Sequence, residues 1–345
     1  MSRAGIWRCQ RWAAPLRGRI RMPVRHLIRI FLGLSLVLAA PGAVRKVARS
    51  PYLGAIVMEA ETGQVLFEDN ADMVGYPASV TKLVTFAVVM DRVKAGQLRL
   101  DDTATVSAEA ANTGGSQVYL KQGEVFTVDE LLYALMVQSA NDAAVALAQR
   151  AAGSREAFVE LMNQKAQALG LTATAFHSPH GLPPNTKKGQ LPDESTARDL
   201  AVISRDLLRQ GEILRYSVVK ERTIRQGTAN PFVMRNHNNL LGALPGCDGL
   251  KTGYFSAAGF SLAATAERNG RRLIAVVLGA EDRVARDVKV KELMERGFAA
   301  TPAVPSLRAT AAEPASVPVV KPAPPPPSTQ PKAPVKFVIP NSTQP

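Results

Sequence analysis

The spacing of apolar and polar positions changes period twice along the chain. Gly54-Ala-Ile-Val-Met58 and Gln64-Val-Leu-Phe67 are short apolar-rich runs on either side of Glu61-Thr62-Gly63, which predicts a hairpin. A second pair, residues 259–265 and 272–278, flanks Arg268-Asn269-Gly270. Asn-Gly at such a joint is a strong hairpin signal, because both residues tolerate the left-handed backbone a tight turn needs. Between the hairpins the period lengthens to that of a helix. Leu83, Phe86, Met90 and Val93 share one face, and Gly96 ends that helix. Thr127-Val-Asp-Glu130 is a capping box opening a helix through Leu131, Leu132, Leu135 and Met136. Further helices are predicted over 141–152, 154–169 (stopped by Gly170), 195–209 (stopped by Gly211) and 284–298. Hairpins at both ends with helices between them predict an α+β fold in which one antiparallel sheet is assembled from both chain ends.

The flanks of this region follow other rules. Residues 1–43 carry eight Arg and no Lys, Asp or Glu, and contain the apolar run Ile30-Phe-Leu-Gly-Leu-Ser-Leu-Val-Leu-Ala-Ala40. Eleven apolar residues suit the h-region of a secretory signal and are too few to cross a bilayer. A start at Met22 gives a signal of ordinary length. Residues 301–345 contain 13 Pro, four of them consecutive at 324–327, and are expected to be an extended tail outside the fold. That tail could contact a partner outside the fold, and no anchor helix is recognised in it. Residues 44–300 remain as one catalytic-sized domain.

Charge changes the picture only after it is divided. The net +13 sits mostly in the two flanks, leaving the central region near +2. A nearly neutral core is a poor nucleic-acid binder. If the signal is removed, Cys9 goes with it and Cys247 remains alone, so no internal disulfide can form and no cysteine-pair metal site exists.

Three short motifs carry candidate chemistry. Ser79-Val-Thr-Lys82 follows Pro77 at an expected helix start, with Lys82 one turn above Ser79, so that an amine can take the serine proton. A lysine is a poor base at neutral pH unless burial and a second cation lower its pKa. Ser139-Ala-Asn141 lies between two predicted helices. Ser139 can relay a proton towards a leaving amine, and Asn141 can orient Lys82 and hold a substrate amide; the plain alternative is a pair of helix caps. Lys251-Thr252-Gly253 enters a predicted edge strand. Lys251 and Thr252 can meet a carboxylate, Gly253 leaves room for a substrate backbone, and the Tyr254 N–H can form an oxyanion hole with that of Ser79. Each motif alone is common; together and in this order they match the signature of penicillin-binding proteins and class A β-lactamases.

The likeness extends beyond the motifs. Tyr76-Pro-Ala-Ser-Val-Thr-Lys82, Ser139-Ala-Asn-Asp142, Phe176-His-Ser-Pro-His-Gly-Leu182, Asp248-Gly-Leu-Lys-Thr-Gly253 and Gly279-Ala280 all resemble segments of the low-molecular-weight penicillin-binding proteins, the serine D-alanyl-D-alanine carboxypeptidases of peptidase family S11. The resemblance implies that Ser79 attacks the bond between two terminal D-alanines of a peptidoglycan stem peptide. Lys82 then serves as general base, Ser139 and Asn141 assist, and Lys251 and Thr252 hold the terminal carboxylate. It further implies β-lactams as covalent inhibitors, a periplasmic or wall-associated location, and no metal or cofactor.

Some features depart from that pattern. Tyr254 stands where His often follows Lys-Thr-Gly. The basic residue that often precedes this strand has two candidates, Arg235 and His237, the latter expected to be a solvated loop residue. Cys247 is expected to be a small buried hydrophobe rather than a reactive thiol. Three other functions compete. A class A β-lactamase would need a Glu-x-x-Leu-Asn segment between the second and third motifs, which is not found. A DD-endopeptidase would use the same machinery, and a wall-binding protein would not require Lys82.

Overall fold

The computed structural model describes residues 44–300; the predicted signal segment and Pro-rich tail lie outside them. The first hairpin forms as β1 (Gly54–Glu59) and β2 (Val65–Asp69), and the last as β8 (Gly259–Arg268) and β9 (Arg271–Ala280). With β7 (Cys247–Phe255) they make one antiparallel sheet in the order β2-β1-β9-β8-β7. The two chain ends meet where β1 pairs with β9, Val57 opposite Ala275. Strand β7, which carries Lys251-Thr252-Gly253, is an edge strand as expected.

Both faces of the sheet are covered, which explains why its central strands are apolar without alternation. Ile56, Ile274, Val276 and Leu278 face the helical region, while Val57, Leu273, Ala275 and Val277 face α8 (Arg283–Ala299) through Val290, Leu293 and Met294. The helical region contains α1 (Lys82–Lys94), α3 (Val128–Val137), α4 (Asn141–Ala152), α5 (Arg155–Ala168) and α6 (Ala197–Gln210), all close to their predicted bounds. The capping box at Thr127 is fully formed: Glu130 N–H donates to the Thr127 hydroxyl and the Glu130 carboxylate accepts from Thr127 N–H. Ser154 and Thr196 cap α5 and α6 by the same hydroxyl-to-amide contact.

Smaller elements escape the sequence reading: α2 (Ala108–Ala111), α7 (Ile213–Ser217), and two isolated ladders, β3 (Thr103–Thr105) with β4 (Val125–Thr127) and β5 (Glu221–Ile224) with β6 (Phe232–Arg235). They are three to five residues long, too short for periodicity to register. Among the described residues no helix is long and apolar enough to cross a membrane.

Candidate active site

Ser79 does not sit in the first turn of α1 as expected. It lies in a single 3₁₀ turn, Ala78–Thr81, just before it. The physical reason is upstream: Ala78 takes a left-handed φ of 49°, and Val80 N–H closes back on Pro77 O at 3.1 Å. The α-helical pattern begins only at Lys82. This sharp entry holds the half-buried Ser79 at the helix mouth, and Lys82 still reaches it, with Nζ to Oγ at 3.0 Å.

Lys82 is fully buried, and its Nζ meets three oxygens: Ser79 Oγ, Asn141 Oδ1 at 2.7 Å and the His180 carbonyl at 2.7 Å. A neutral amine has two N–H donors and one lone pair. In the neutral form, two carbonyl acceptors can take both donors, which leaves the lone pair for the Ser79 hydroxyl. Burial holds the Lys82 pKa well below the ordinary lysine range, and the charge of Lys251 pushes the same way; Asp193 and Asp142 oppose them. The cation required by the sequence reading is therefore Lys251. Its own pKa is lowered to about 7 by burial and by the charge of Arg286, a buried side chain of α8.

Asn141, the first residue of α4, acts as a structural hinge of the site rather than a cap. Its Nδ2 donates to Gly114 O at 2.8 Å and its backbone N–H to Ser116 O at 2.7 Å, binding the 114–120 loop to the helix start. Asp142 secures the same loop by accepting from the Val118 and Leu120 amides. Ser139 reverses the chain between α3 and α4 with a φ of 60°, a strained conformation for serine, and is 3% exposed. Its hydroxyl stands outside the hydrogen-bonded chain that joins Ser79, Lys82, Asn141 and His180.

The third motif has two features that the sequence does not show. Lys251 and Thr252 are buried, and Lys251 Nζ donates to the Thr252 carbonyl at 3.1 Å. A substrate carboxylate would have to replace that contact. Gly253 is also required by the fold itself. A Cβ there would collide with the Pro77 carbonyl and lie 3.1 Å from Ser79 N, so glycine lets the protein's own helix entry approach the strand. That contact brings the backbone on either side of Tyr254 and Ser79 together. The Tyr254 ring is exposed and stacks on Phe260 with centroids 4.1 Å apart.

Of the two basic candidates ahead of the strand, Arg235 is turned away, paired with Glu221 at 3.1 Å. His237 is exposed, yet it borders the site. The protein around its ring, then the charges of Lys251 and Lys82, lower its pKa to about 4. Burial raises the Cys247 thiol pKa, as an inert thiol requires.

Nothing in the sequence gives a role to the turn 177–181, although it lies in the Phe176–Leu182 segment that carries part of the resemblance. This turn supplies the His180 carbonyl. His180 itself is buried, its Nδ1 accepts from Leu182 N–H, and burial with the charges of Lys82 and Arg155 lowers its pKa to about 3, so the ring is neutral at physiological pH. Gly181 allows the turn to press on the nucleophile: it has a φ of 77°, and a Cβ there would collide with the Ala78 carbonyl. Gly181→Ala is expected to destabilise the fold by roughly 2–4 kcal/mol, combining left-handed strain with backbone overlap. Thermal unfolding checks this; an unchanged Tm would contradict the close contact.

A buried lysine amine 3.0 Å from a serine hydroxyl, at the junction of an antiparallel sheet and a helical region, is an arrangement suited to a serine hydrolase. The comparisons agree. A family profile described as D-alanyl-D-alanine carboxypeptidase, Peptidase_S11, matches residues 49–282. D-alanyl-D-alanine carboxypeptidase DacF of Bacillus subtilis is 36% identical over 281 residues, 79% of this chain and 71% of the relative. DacC of Escherichia coli is 40% identical over 250 residues, 70% of this chain and 60% of the relative, so the chain spans well under two thirds of that protein's length. Among solved structures, penicillin-binding protein D2 from Listeria monocytogenes in its ampicillin-bound form is 33% identical with a TM-score of 0.64, covering 72% of this chain and 97% of that one. The chain belongs to the D-alanyl-D-alanine carboxypeptidase family S11.

Proposed function

We propose that this protein removes the terminal D-alanine from peptidoglycan stem peptides ending in D-Ala-D-Ala, through an acyl-enzyme on Ser79. The observation that carries the reading is the setting of Lys82 Nζ, buried, bound to two carbonyls and 3.0 Å from Ser79 Oγ. Lys82 takes the Ser79 proton as Oγ attacks the peptide carbonyl. The backbone N–H groups of Ser79 and Tyr254 receive the oxyanion. The Lys82 ammonium then gives that proton to the Ser139 hydroxyl as Ser139 hands its own to the leaving D-Ala nitrogen, which restores the free amine, while Asn141, with one amide hydrogen beyond the one given to Gly114, steadies the acyl side. Lys251 and Thr252 hold the terminal carboxylate, the group that marks a chain end and so makes the enzyme a carboxypeptidase. Water then enters, Lys82 takes its proton, and the acyl-enzyme is hydrolysed.

β-Lactams enter the same reading as substrates that acylate Ser79 and leave slowly; the ampicillin and cefotaxime forms of the Listeria relative support this. A periplasmic or wall-associated position follows from the location of the polymer, with residues 301–345 reaching the wall or a protein partner. A second reading, cleavage of crosslinks, draws on a Pseudomonas aeruginosa relative named D-alanyl-D-alanine endopeptidase, 31% identical over 270 residues. Intact-protein mass spectrometry after exposure to benzylpenicillin tests the main reading: one adduct is expected, mapping to the peptide containing Ser79. Rapid hydrolysis of nitrocefin with no lasting adduct would point to a β-lactamase instead.

Lys251→Ala is expected to raise KM for a D-Ala-D-Ala peptide at least tenfold, by removing a charge-assisted contact to its carboxylate. The parent enzyme should also lose affinity as pH rises. Lys251 binds an anion only as the ammonium, and its pKa of about 7 places that loss above neutrality, with the bound carboxylate moving it upward. Stopped assays of D-Ala release across pH 5–9 would separate the two; a KM that stays flat with pH and in the variant would remove Lys251 from carboxylate binding.

A further inference from the structure

Asp193 is a buried carboxylate, distant in sequence from all three motifs, and all its described hydrogen bonds run to the walls of the site. Its Oδ1 accepts from the backbone N–H groups of His177, at 2.6 Å, and Ser178, at 2.9 Å. Its Oδ2 accepts from the Ser178 hydroxyl, at 2.9 Å, and from the Thr81 hydroxyl, at 3.0 Å. Thr81 is the residue immediately before Lys82. The Ser178 hydroxyl in turn accepts from Gly181 N–H at 2.9 Å, closing the turn whose next carbonyl, that of His180, receives Lys82 Nζ. Thr85, one turn along α1, donates its hydroxyl to the Pro179 carbonyl at 2.6 Å.

One carboxylate thus joins the two pieces of backbone that bracket the lysine: the helix entry on one side and the 177–181 turn on the other. We propose that Asp193 is a positioning residue for the proton-accepting amine, tying the 177–181 turn to the start of α1 and so holding the His180 carbonyl against Lys82 Nζ. The consequence is directional. With the carbonyl fixed, one Lys82 hydrogen is committed to it and another to Asn141, and the lone pair has only Ser79 to meet. If the turn drifts, the amine can rotate and the lone pair leaves the hydroxyl. Displacements of this size are sufficient to slow an aligned reaction severely.

Asp193 also acts on Lys82 through its charge. The titratable groups that face Lys82 are Lys251 from β7, Asp142 from α4, His180 from the turn, His237 from the loop after β6, and Asp193. The histidines are neutral near pH 7; burial raises the carboxyl pKa of Asp193 and Asp142 against the hydrogen bonds each accepts, and in their ionised form these two favour the protonated amine, against burial and Lys251. Removing the Asp193 charge must lower the pKa of Lys82. The acid limb of acylation, where activity is lost as Lys82 gains a proton, must then move to lower pH.

The proposal rests on the assignment of Ser79 and Lys82 made above, and the experiment keeps the two apart. The rate of Ser79 acylation by benzylpenicillin is measured from pH 4 to 9 on the full chain for the parent, Asp193→Asn and Thr81→Val. Asparagine keeps the Oδ1 acceptor, and both hydroxyls can turn to accept from its amide, so Asp193→Asn preserves the shape and removes the charge. Thr81→Val cuts the tie to α1 and leaves the charge. The expected result is a plateau lowered about tenfold or more in Thr81→Val with its acid limb in place, and in Asp193→Asn a largely kept plateau with the acid limb moved down by roughly one pH unit. A merely structural role would lower the folded fraction, read by circular dichroism, without moving the limb. Asp193→Asn acylating within twofold of the parent at every pH overturns the proposal, as does a loss that only tracks folded protein with an unmoved limb. Failure of the parent itself to acylate at Ser79 overturns the functional reading instead.

Discussion

Ser79→Ala is expected to abolish both penicillin labelling and D-Ala release, with a fall in turnover of roughly 10⁴- to 10⁶-fold, the range seen when a covalent nucleophile is removed. Its effect on stability should be small, within about 1 kcal/mol. Ser79 is half-buried, and the one side-chain contact it loses is the 3.0 Å bond with Lys82. The lysine keeps its two carbonyl partners, so no buried donor is abandoned. The pairing of lost chemistry with a kept fold is the diagnostic. Circular dichroism melting and gel labelling with a fluorescent penicillin, run on the same preparation, measure the two. Label that persists and maps to Ser139 or another serine would refute the assignment, whatever the melting curve shows.

How much of this could be read from the chain depends on whether a feature is written in side chains or in backbone. The hairpins at both ends are legible because turn residues such as Asn269-Gly270 have few other uses, and β1 and β9 carry enough apolar residues to demand two covered faces. The lysine–serine pair is legible because its spacing of three survives the change from helix to 3₁₀ turn. The His180 carbonyl is not legible, since any residue supplies one. Gly181 and Gly253 are visible as glycines, but the clashes they avoid are with Ala78 and Pro77, a hundred or more residues away. Asp193 lies 111 positions from Lys82, in a segment with no period, and only folding places its two oxygens between Thr81 and Ser178. Arg286 reads as one more charge on an amphipathic helix, yet it is buried and bears on Lys251. The sequence thus declares the groups that react and leaves unstated those that aim them.

Lys82→Ala should be nearly as damaging as loss of the serine, and for a separable reason. A positioned general base contributes roughly 10²- to 10⁴-fold, and acylation is expected to fall by the upper part of that range, with KM for the peptide changed little because the carboxylate is held by Lys251 and Thr252. Lys82→Arg tests charge against basicity. The guanidinium keeps the positive charge, does not give up its proton at working pH, and is therefore expected to be as inactive as alanine. The pH profile provides the sign. The parent needs Lys82 unprotonated, and burial together with Lys251 lowers its pKa, so each unit of lowering raises the neutral fraction near pH 7 about tenfold until most molecules carry the free amine. Activity should therefore fall as pH drops through that pKa, and this limb should vanish from the residual rate of Lys82→Ala. Lys251→Ala should displace the same limb to higher pH, because the cation that helped discharge Lys82 is gone, whereas Asp193→Asn displaces it to lower pH. Opposite movements from a cation and an anion that flank one amine would identify that amine as the titrating base. A limb that stays in place in both variants would mean that some other group, and not Lys82, accepts the serine proton.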